Sequence, residues 1–300
     1  MKVLNFGSLN IDYVYSVDHI CRRGETISSK ELNIYSGGKG LNQSVALGKA
    51  GIRPYHAGKI GNEGIFLLDV LREADVDVSN VRISDKDSSG NAIIQNEADG
   101  DNCIILYGGA NRNITLEDIE EVLMKFGEGD ILVCQNEISH VEELIHKAHE
   151  KGMSVFLNPS PMDDVMLNLD FKEVDYIILN EIEAGQLTAL NTEDGEMLID
   201  ALHKKFPGIR IVLTLGSKGS IYADSEKKVR HPIFPVHAVD TTAAGDTFLG
   251  YFIANIAMKK TPEEALRIAS MASAIAVTKS GAAPSIPAKE QVMDELVKKT

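Results

Sequence analysis

The most informative stretch of the sequence is Asp240-Thr241-Thr242-Ala243-Ala244-Gly245-Asp246-Thr247-Phe248, and an apolar run follows it through Ala257. The apolar run predicts a helix, and the small residues before it let backbone N–H groups crowd together at the helix N-terminus. Such a terminus carries about half a positive charge and unpaired donors, so it binds anions. Asp246 in the first turn would lie beside the anion and could accept a hydroxyl proton, a pairing that phosphoryl transfer needs. The alternative, which spacing alone favours, is a capped core helix with Asp246 as an ordinary first-turn acid.

A second motif, Ser36-Gly37-Gly38-Lys39-Gly40-Leu41-Asn42, leads into another predicted helix. Its glycines, Gly38 among them, allow the backbone to approach a ligand closely. Lys39 can meet a phosphate, and Asn42 can bond sugar hydroxyls. By itself this motif is weak evidence, because it lacks the spacing of a Walker A loop and a flexible turn is the alternative.

Polar residues also follow two predicted buried strands, at the end of the strand where open α/β sheets bind ligands. Asn10 and Asp12 are predicted to close the first strand, Val3–Phe6, and at positions i and i+2 their side chains share one face. Glu137 follows the strand Ile131–Cys134 in the same way. For each residue taken alone, a solvated loop position is the favoured interpretation.

Asn180 and Glu183 follow a further predicted strand, Tyr176–Leu179, and at i, i+3 on a helix they share a face. An oxygen pair of this kind suits Mg²⁺ held through water and phosphate oxygens. A capped helix, with Asn180 as the cap and Glu183 completing a capping box, is a strong alternative that does not exclude the metal.

Short β-rich runs alternate with longer amphipathic runs, which predicts βαβ units and a parallel sheet. Two segments interrupt this alternation. Residues 13–36 form a long, irregular insert, and residues 90–107 contain two strands around Ala98-Asp99-Gly100-Asp101, a favourable hairpin turn. The second strand, Cys103–Tyr107, is apolar at nearly every position, so we expect a small β-lid with one face over a substrate and the other against a partner. The alternative is a strand pair of the main sheet.

Composition limits the classes of protein to which the chain can belong. Its 300 residues suit one domain, 1–300, with the lid inserted in the core, and need no disulfide or metal to fold. The three cysteines show no CxxC spacing, so a reducing cytosol is expected. A net charge of −14 argues against nucleic acid as the main partner. With neither a leader-like segment nor an apolar run of spanning length, we expect a cytoplasmic protein without a membrane partner.

Together these segments resemble the ribokinase branch of the PfkB family of sugar kinases, almost end to end. The similar segments are Gly7–Asp12, Gly37–Gln43, Asn158–Pro161, Asn180–Glu183, Thr214–Gly219, Asp240–Phe248 and Ala276–Gly281. The Gly-Gly-Lys-Gly and Asp-Thr-Thr-Ala-Ala-Gly-Asp-Thr-Phe motifs are specific, and their joint occurrence in this order by chance is negligible, which outweighs the separate alternatives above. The resemblance implies a ribokinase-like, three-layer α/β/α core with a small β-sheet lid that can clasp a second subunit.

The resemblance also implies roles for individual residues. It implies Asp246 as the catalytic base, with Ala243, Ala244 and Gly245 forming the anion hole. The residues at sugar-binding positions are Asn10, Asp12, Gly38, Lys39, Asn42 and Glu137. The residues at nucleotide-binding positions are Asn180, Thr214, Leu215, Gly216, Ser217, Lys218, Gly219 and Gly245.

The cofactors implied by the resemblance are ATP, Mg²⁺ and an activating monovalent cation, K⁺. Asn180 and Glu183 match a magnesium-associated Asn-x-x-Glu motif. The residues that match ligands of the monovalent cation, several through backbone carbonyls, are Asp240, Thr242, Ala276, Lys279, Gly281 and Ser285. The alternative is that the ammonium group of Lys279 itself occupies that site.

The function implied is ATP-dependent phosphorylation of D-ribose to D-ribose 5-phosphate by a homodimer joined through the lid. Two departures from the family pattern, Asn91 in a lid strand and Asn136 before Glu137, can reshape the sugar pocket. Another acceptor, such as deoxyribose, a nucleoside or a ketohexose, is therefore the first alternative. The second is a non-catalytic sugar-binding regulator on the same fold, which loss of the base would mark, and Asp246 is present.

Overall fold

The computed structural model describes residues 1–97 and 101–299. The strands are β1 (Val3–Phe6), β2 (Asn10–Ser16), β3 (Glu31–Gly37), β4 (Tyr55–Gly61), β5 (Asp77–Ser84), β6 (Gly90–Asn96), β7 (Asn102–Tyr107), β8 (Ile131–Gln135), β9 (Ser154–Asn158), β10 (Tyr176–Asn180), β11 (Arg210–Thr214), β12 (Ser220–Ala223) and β13 (Lys228–His231). The α-helices are α1 (Lys39–Lys49), α2 (Ile65–Glu73), α3 (Leu116–Leu123), α4 (Val141–Glu150), α5 (Asp164–Asn168), α6 (Glu181–Thr188), α7 (Gly195–Lys205), α8 (Ala244–Ala257), α9 (Pro262–Ala276) and α10 (Lys289–Lys298). None of these helices, within the described ranges, has the length and apolar character needed to cross a membrane.

Nine strands of the described chain form one large sheet, in the order β13-β12-β11-β10-β9-β8-β1-β4-β5. The strands from β11 to β5 are parallel, whereas β12 and β13 are antiparallel additions at one edge. The predicted alternation of strands and helices is therefore confirmed, because parallel neighbours need a crossover connection on a face of the sheet.

Successive residues of the central strands pack into opposite hydrophobic cores. Leu4 and Phe6 of β1 pack with helices α3 to α7, whereas Val3 packs with α1, α2, α8, α9 and α10. In β8, Leu132 lies in the first of these cores and Val133 in the second. Strands buried on both faces are apolar throughout, and the sheet between two helical layers is the predicted three-layer α/β/α arrangement.

A second, four-stranded sheet, the lid sheet, contains β3, β2, β6 and β7 in that order. Strand β2 is parallel to β6, and the other neighbouring pairs are antiparallel. Residues 98–100 of the predicted hairpin turn lie outside the described residues. Ile104, Ile105, Leu106 and Tyr107 of β7 are each 54–58% exposed, so a single chain covers neither face of this strand.

Asn10 and Asp12 open strand β2 of the lid sheet, and the prediction that they close β1 was wrong. Strand β1 ends at Phe6, and Asn10 pairs with Gly37 and Gly90. The intervening residues 7–9 are all buried, so no polar break in the sequence marks the change of sheet. Residues 13–36 are accordingly not irregular throughout, because they hold the rest of β2 and most of β3.

The strands β8, β10 and β11 end at one edge of the large sheet, where parallel sheets bind ligands. Glu137 follows β8, Asn180 ends β10, and the loop that begins at Gly216 follows β11. The fold therefore brings these sequence-distant segments to the same edge.

Candidate active site

The N-terminus of α8 presents backbone donors that have no acceptor. Ala243, the residue before the helix, has a left-handed backbone with φ 59°, which turns the chain sharply into the first helical turn. The N–H of Ala244 donates to the carbonyl of Thr241. Among the described residues, neither the N–H of Gly245 nor that of Asp246 has an acceptor, and a Cβ on Gly245 would meet nothing within 4 Å. Free donors facing open space are what an anion site at a helix terminus requires.

The carboxylate of Asp246 is held from both sides by amide groups of α1. Asn42 Nδ2 donates to Oδ2 at 3.1 Å, and Gln43 Nε2 donates to Oδ1 at 2.9 Å. Helices α1 and α8 approach closely, since a Cβ on Gly250 would lie 2.4 Å from the Cβ of Ala46. The side chain of Asp246 is therefore fixed in direction at the helix terminus.

The Gly-Gly-Lys-Gly segment connects the lid sheet to the core. Strand β3 ends at Gly37, and Gly38, with φ 93°, turns the chain into α1. A Cβ on Gly40 would lie 2.4 Å from the backbone nitrogen of Ser8, so this helix start packs directly on the connection between β1 and β2. A Cβ on Gly37 would lie 2.1 Å from Oδ2 of Asp12, so only glycine leaves room for that carboxylate.

Lys39 lies in the electrostatic field of three carboxylates. Burial disfavours its ammonium form, but the charges of Asp246, Glu137 and Glu183 outweigh burial, so the pKa of Lys39 is raised above its usual value. The site therefore holds a fixed positive charge close to the N-terminus of α8. A phosphate group at this place would be attracted by both the ammonium of Lys39 and the N-terminus of α8.

Two acidic residues, Asp12 of the lid sheet and Glu137 of the core, lie near each other where the lid meets the core. Burial, and next the charge of Glu137, raise the pKa of Asp12 to about 6. Glu137 Oε2 accepts hydrogen bonds from the hydroxyl of Ser8 and from the N–H of Lys39, the latter at 3.0 Å. Glu137 is thus tied to the protein, whereas no side chain or backbone group of the described residues forms a hydrogen bond with the carboxylate of Asp12.

Asn10 is positioned by Asn111, which the sequence interpretation missed. Asn111 Nδ2 donates to Asn10 Oδ1 at 2.8 Å, and Asn111 Oδ1 accepts from the N–H of Leu9 at 3.0 Å. A Cβ on Gly90 would lie 2.1 Å from Asn111 Nδ2, so the lid strand passes close to this pair. A cavity of about 200 Å³ opens beside it; its lining residues are Asn10, Leu106, Gly108, Asn111, Arg112, Glu137 and Pro161.

Arg112 also lines this cavity, although it stands in no recognisable sequence motif. Its guanidinium donates to the carbonyls of Ile138 and Asn136 at 3.0 and 3.1 Å. Asn136 in turn donates from Nδ2 to the carbonyl of Pro161 at 2.8 Å, so this departure acts on the cavity wall. Asn91 does not do so, contrary to the expectation, because it pairs with Ile11 and lies on the opposite face of the lid sheet from Asn10 and Asp12.

A larger cleft of about 550 Å³ lies on the other side of the α8 terminus. Six of the predicted nucleotide-binding residues line it: Asn180, Thr214, Gly216, Ser217, Gly219 and Gly245. Leu215 and Lys218 do not, because Leu215 is buried in the core and the Lys218 ammonium pairs with Glu193 at 2.7 Å. The cleft also has an apolar wall that the sequence interpretation missed, formed by Ile233, Phe234, Val236, Phe248, Ala274 and Val277. A wall of this kind suits a flat heterocyclic base.

Asn180 and Glu183 form a capping box at the start of α6. Asn180 Oδ1 accepts from the N–H of Glu183 at 2.9 Å, and Glu183 Oε2 accepts from the N–H of Asn180 at 3.0 Å. Within the described residues, Glu183 Oε1 has no hydrogen-bond partner. The donor set therefore fits a magnesium ion that is held through water rather than by a cage of side chains. Among the described residues, no group of three or more acidic, histidine or cysteine side chains is arranged so that it could hold a metal ion.

Asp240 ties together the two loops that carry the predicted cation ligands. Its carboxylate accepts from the N–H of Thr242 and from the N–H of Gly281, each at 2.8 Å. Partial burial opposes its ionisation, but these hydrogen bonds prevail and lower the pKa of Asp240. Ala276 ends α9, and buried Ser285 donates from its hydroxyl to the carbonyl of Ala282 at 2.8 Å. Lys279 lies near enough to Lys49 that, after burial, its charge helps to lower the pKa of Lys49.

Comparison with known proteins adds independent information. A family model described as pfkB family carbohydrate kinase matches residues 1–289. A ribokinase from Haemophilus influenzae is 34% identical over 301 residues, covering 97% of this chain and 96% of that protein. A ribokinase from Cryptococcus neoformans in complex with ADP has a TM-score of 0.87 at 31% identity, covering 98% of this chain and 99% of that one. Ribokinase of Arabidopsis thaliana complexed with ribose and ATP has a TM-score of 0.87 at 30% identity, covering 98% of each chain. The predicted fold class is thereby confirmed.

Proposed function

The chain belongs to the pfkB family of carbohydrate kinases, and we propose that it transfers the terminal phosphate of ATP to the 5-hydroxyl of D-ribose. The observation that carries the proposal is the position of Asp246, held by Asn42 and Gln43 at the free N-terminus of α8. The ribose and ATP bound by the Arabidopsis thaliana ribokinase support the choice of both substrates.

In the proposed reaction Asp246 is the catalytic base. The sugar O–H bond breaks and its proton goes to the carboxylate, while the hydroxyl oxygen forms a bond to the γ-phosphorus. The bond from that phosphorus to the bridging oxygen breaks, and ADP leaves with its electron pair. The N–H groups at the α8 terminus and the ammonium of Lys39 stabilise the negative charge that the transferring group carries.

Sugar recognition is assigned to the carboxylate of Asp12 and the amides of Asn10 and Asn42, supported by Glu137. The pKa of Asp12 is raised because its carboxylate is buried and lies near Glu137 without donors to stabilise its charge. The hydroxyl groups of a bound sugar would supply those donors. The glycines Gly37 and Gly90 keep the lid close to this set.

ATP is assigned to the larger cleft, with its base against the apolar wall and its phosphates at Gly245. Mg²⁺ would neutralise phosphate charge when bound, and the free oxygen of Glu183 is the atom that would hold it through water. Asn180 orients Glu183 through the capping box.

The acceptor is tested by a kinetic panel. With ATP and Mg²⁺, ribose is expected to exceed 2-deoxyribose in kcat/KM, because a site built to pair a hydroxyl rejects an analogue that lacks it. Nucleosides and a ketohexose complete the panel in a coupled assay for ADP. Equal values for ribose and 2-deoxyribose would refute the assignment of Asp12 to the ring hydroxyls, and a preference for nucleosides would replace ribose as the acceptor.

A monovalent cation is proposed to activate the enzyme at the loops tied by Asp240. Oxygen donors that are mostly neutral carbonyls suit a large, weakly charged cation. The carbonyl of Thr242 lies one residue before Ala243, so an ion there would fix the backbone that forms the anion hole. Replacing Na⁺ by K⁺ at fixed ionic strength is expected to raise kcat, and Asp240→Ala is expected to abolish the increase. Identical rates in the two salts for both proteins would favour the alternative that Lys279 supplies the charge.

The lid sheet is proposed to pair with that of a second chain. Ile34, Ile93, Ile105 and Tyr107 project from its face opposite Asp12 and are 39–58% exposed. Light scattering at micromolar concentration is expected to give the mass of a dimer. Ile105→Glu is expected to give a monomer, whereas Val297→Glu, at an exposed apolar position of α10, is the matched control and leaves the mass unchanged. A wild-type protein that is strictly monomeric would contradict the proposal.

A further inference from the structure

A chain of three buried amide side chains runs from Asp246 into the core. Gln43 Nε2 donates to Asp246 Oδ1 at 2.9 Å, and Gln43 Oε1 accepts from Gln135 Nε2 at 2.6 Å. Gln135 Nε2 also donates to Asn5 Oδ1 at 2.9 Å. Gln43, Gln135 and Asn5 are all fully buried. The base is therefore connected to side chains that no substrate can reach.

The direction of each amide in this chain is fixed by its neighbour. Asn5 Nδ2 donates to the carbonyl of Gly40 at 2.8 Å, and a backbone carbonyl can only accept, so Asn5 Oδ1 must face Gln135. Gln135 then presents its NH₂ to Asn5 and Gln43, and Gln43 must present its oxygen to Gln135. The NH₂ of Gln43 is thereby turned to Asp246. The network, and not Gln43 alone, determines that a donor faces the carboxylate.

This arrangement has a structural cost. Gln135 Oε1 is buried and has no hydrogen-bond partner within the described residues, and a Cβ on Gly7 would lie 2.2 Å from it. A buried acceptor without a partner destabilises the fold, and apolar side chains of the same size would avoid that penalty. A buried polar chain that ends on Asp246 is therefore better explained by what it does to Asp246 than by stability.

We propose that Gln43 is a positioning residue for the catalytic base. Gln135 sets the direction of its amide, together with Asn158, whose Oδ1 accepts from Gln43 Nε2 at 3.4 Å. Gln43 holds Oδ1 from the protein interior. Oδ2 accepts from Asn42 on the side assigned to the sugar, and it is the oxygen that receives the proton of the sugar hydroxyl. Asn42 is also assigned to the sugar. Of the two amides that hold the carboxylate, that of Gln43 is therefore the one whose role is confined to the protein interior. This inference rests on the proposed function of Asp246.

The test compares turnover and substrate binding. Gln43→Met, which keeps the length of the side chain and removes its polar atoms, is expected to lower kcat about 10–100-fold, as loss of a hydrogen bond to a charged group does. The KM values for the sugar and for ATP are expected to stay within about twofold, because Gln43 is fully buried. Gln43→Asn, which keeps a buried amide but is too short to reach Asp246, is expected to lower kcat similarly and guards against a folding defect of the methionine variant.

A matched control is available on α8 itself. Asn255 is buried, and its amide donates to the carbonyl of Tyr251 at 2.7 Å without contacting Asp246. Asn255→Leu also removes a buried amide from the core, and it is expected to leave kcat unchanged. Thermal unfolding of all the variants shows whether a loss of stability accompanies any loss of turnover.

The decisive measurement combines Gln43→Met with Asp246→Asn. If Gln43 acts through the carboxylate, its replacement should have no further effect once the carboxylate is gone. An equal fold-loss in the wild-type and Asp246→Asn backgrounds, or wild-type kcat in both Gln43 variants, would overturn the proposal while leaving the base assignment intact. Wild-type turnover in Asp246→Asn alone would overturn the base assignment and the proposal with it. The sugar used is the best acceptor in the panel, so a wrong choice of ribose is detected separately.

Discussion

Asp246→Asn is expected to lower kcat by about 10²–10⁴-fold, with sugar affinity little changed, which is the usual contribution of a general base. Asparagine has nearly the same shape as aspartate but cannot accept the hydroxyl proton. Its carbonyl oxygen can still accept from one of the two amides that hold Asp246, those of Asn42 and Gln43, whereas its NH₂ replaces the acceptor of the other. Turnover is measured in a coupled assay, and sugar binding by calorimetry.

The alternative that Asp246 only stabilises the start of a helix has its own control. Glu290 is a first-turn acid of α10, away from both cavities. Glu290→Gln is expected to change stability by about 0.3–1 kcal/mol, as loss of a charge at a helix N-terminus does, and to leave kcat unchanged. If Asp246→Asn behaved in the same way, with turnover near that of the wild type, Asp246 would be an ordinary helix acid.

Asp12→Asn is expected to lower kcat/KM for ribose by about 10–150-fold, since a hydrogen bond to a charged group contributes about 1.5–3 kcal/mol. The ionised carboxylate is the form that accepts sugar hydroxyls, and burial raises the pKa of Asp12 to about 6. Ribose affinity of the wild type is therefore expected to fall as the pH drops below about 6. The affinity of the variant is expected to be independent of pH in that range.

Although Asp12→Asn is expected to lower activity, it is expected to raise the stability of the ligand-free protein. This difference distinguishes a loss of sugar recognition from damage to the fold. Because the pKa of Asp12 is raised above its ordinary value of 3.8, the folded protein binds this proton more tightly than the unfolded chain. The contribution of Asp12 to the free energy of unfolding of the ligand-free protein therefore decreases as pH rises from about 4 to 6, and it stays reduced above that range. Asp12→Asn should remove this penalty and unfold at a higher temperature at pH 8. A variant that lost both stability and activity would contradict the assignment.

The sequence predicted the large sheet well because a parallel sheet leaves a strong pattern. Its strands are buried on both faces, so runs such as Tyr176–Leu179 are continuous and bounded by amphipathic helices. The capping box of Asn180 and Glu183 was also recognisable, because it depends only on residues three apart. The start of the lid sheet was not, because the buried residues 7–9 join two strands of different sheets without a polar boundary.

Within the candidate site, the sequence predicted residues that stand in motifs and missed those that reach it from elsewhere. Asn111 and Arg112 come from a segment without a motif and meet Asn10 and Glu137 only through the fold. Gln43 stands beside Asn42, but nothing local shows that its amide points to Asp246. The expectation that Asn91 reaches the sugar pocket failed because the face on which a strand residue lies depends on the register of β6 against β2.

The groups proposed to hold the sugar are divided between two parts of the molecule. Asn10 and Asp12 belong to the lid sheet, whereas Asn42 and Asp246 belong to helices of the core. A sugar bonded to both sets cannot leave until the lid sheet separates from these helices. The residence time of the sugar is then governed by the rate of that separation rather than by the strength of any single hydrogen bond. We expect the phosphorylated product to wait for the same event, so that lid opening would set an upper limit on turnover however fast the phosphate is transferred.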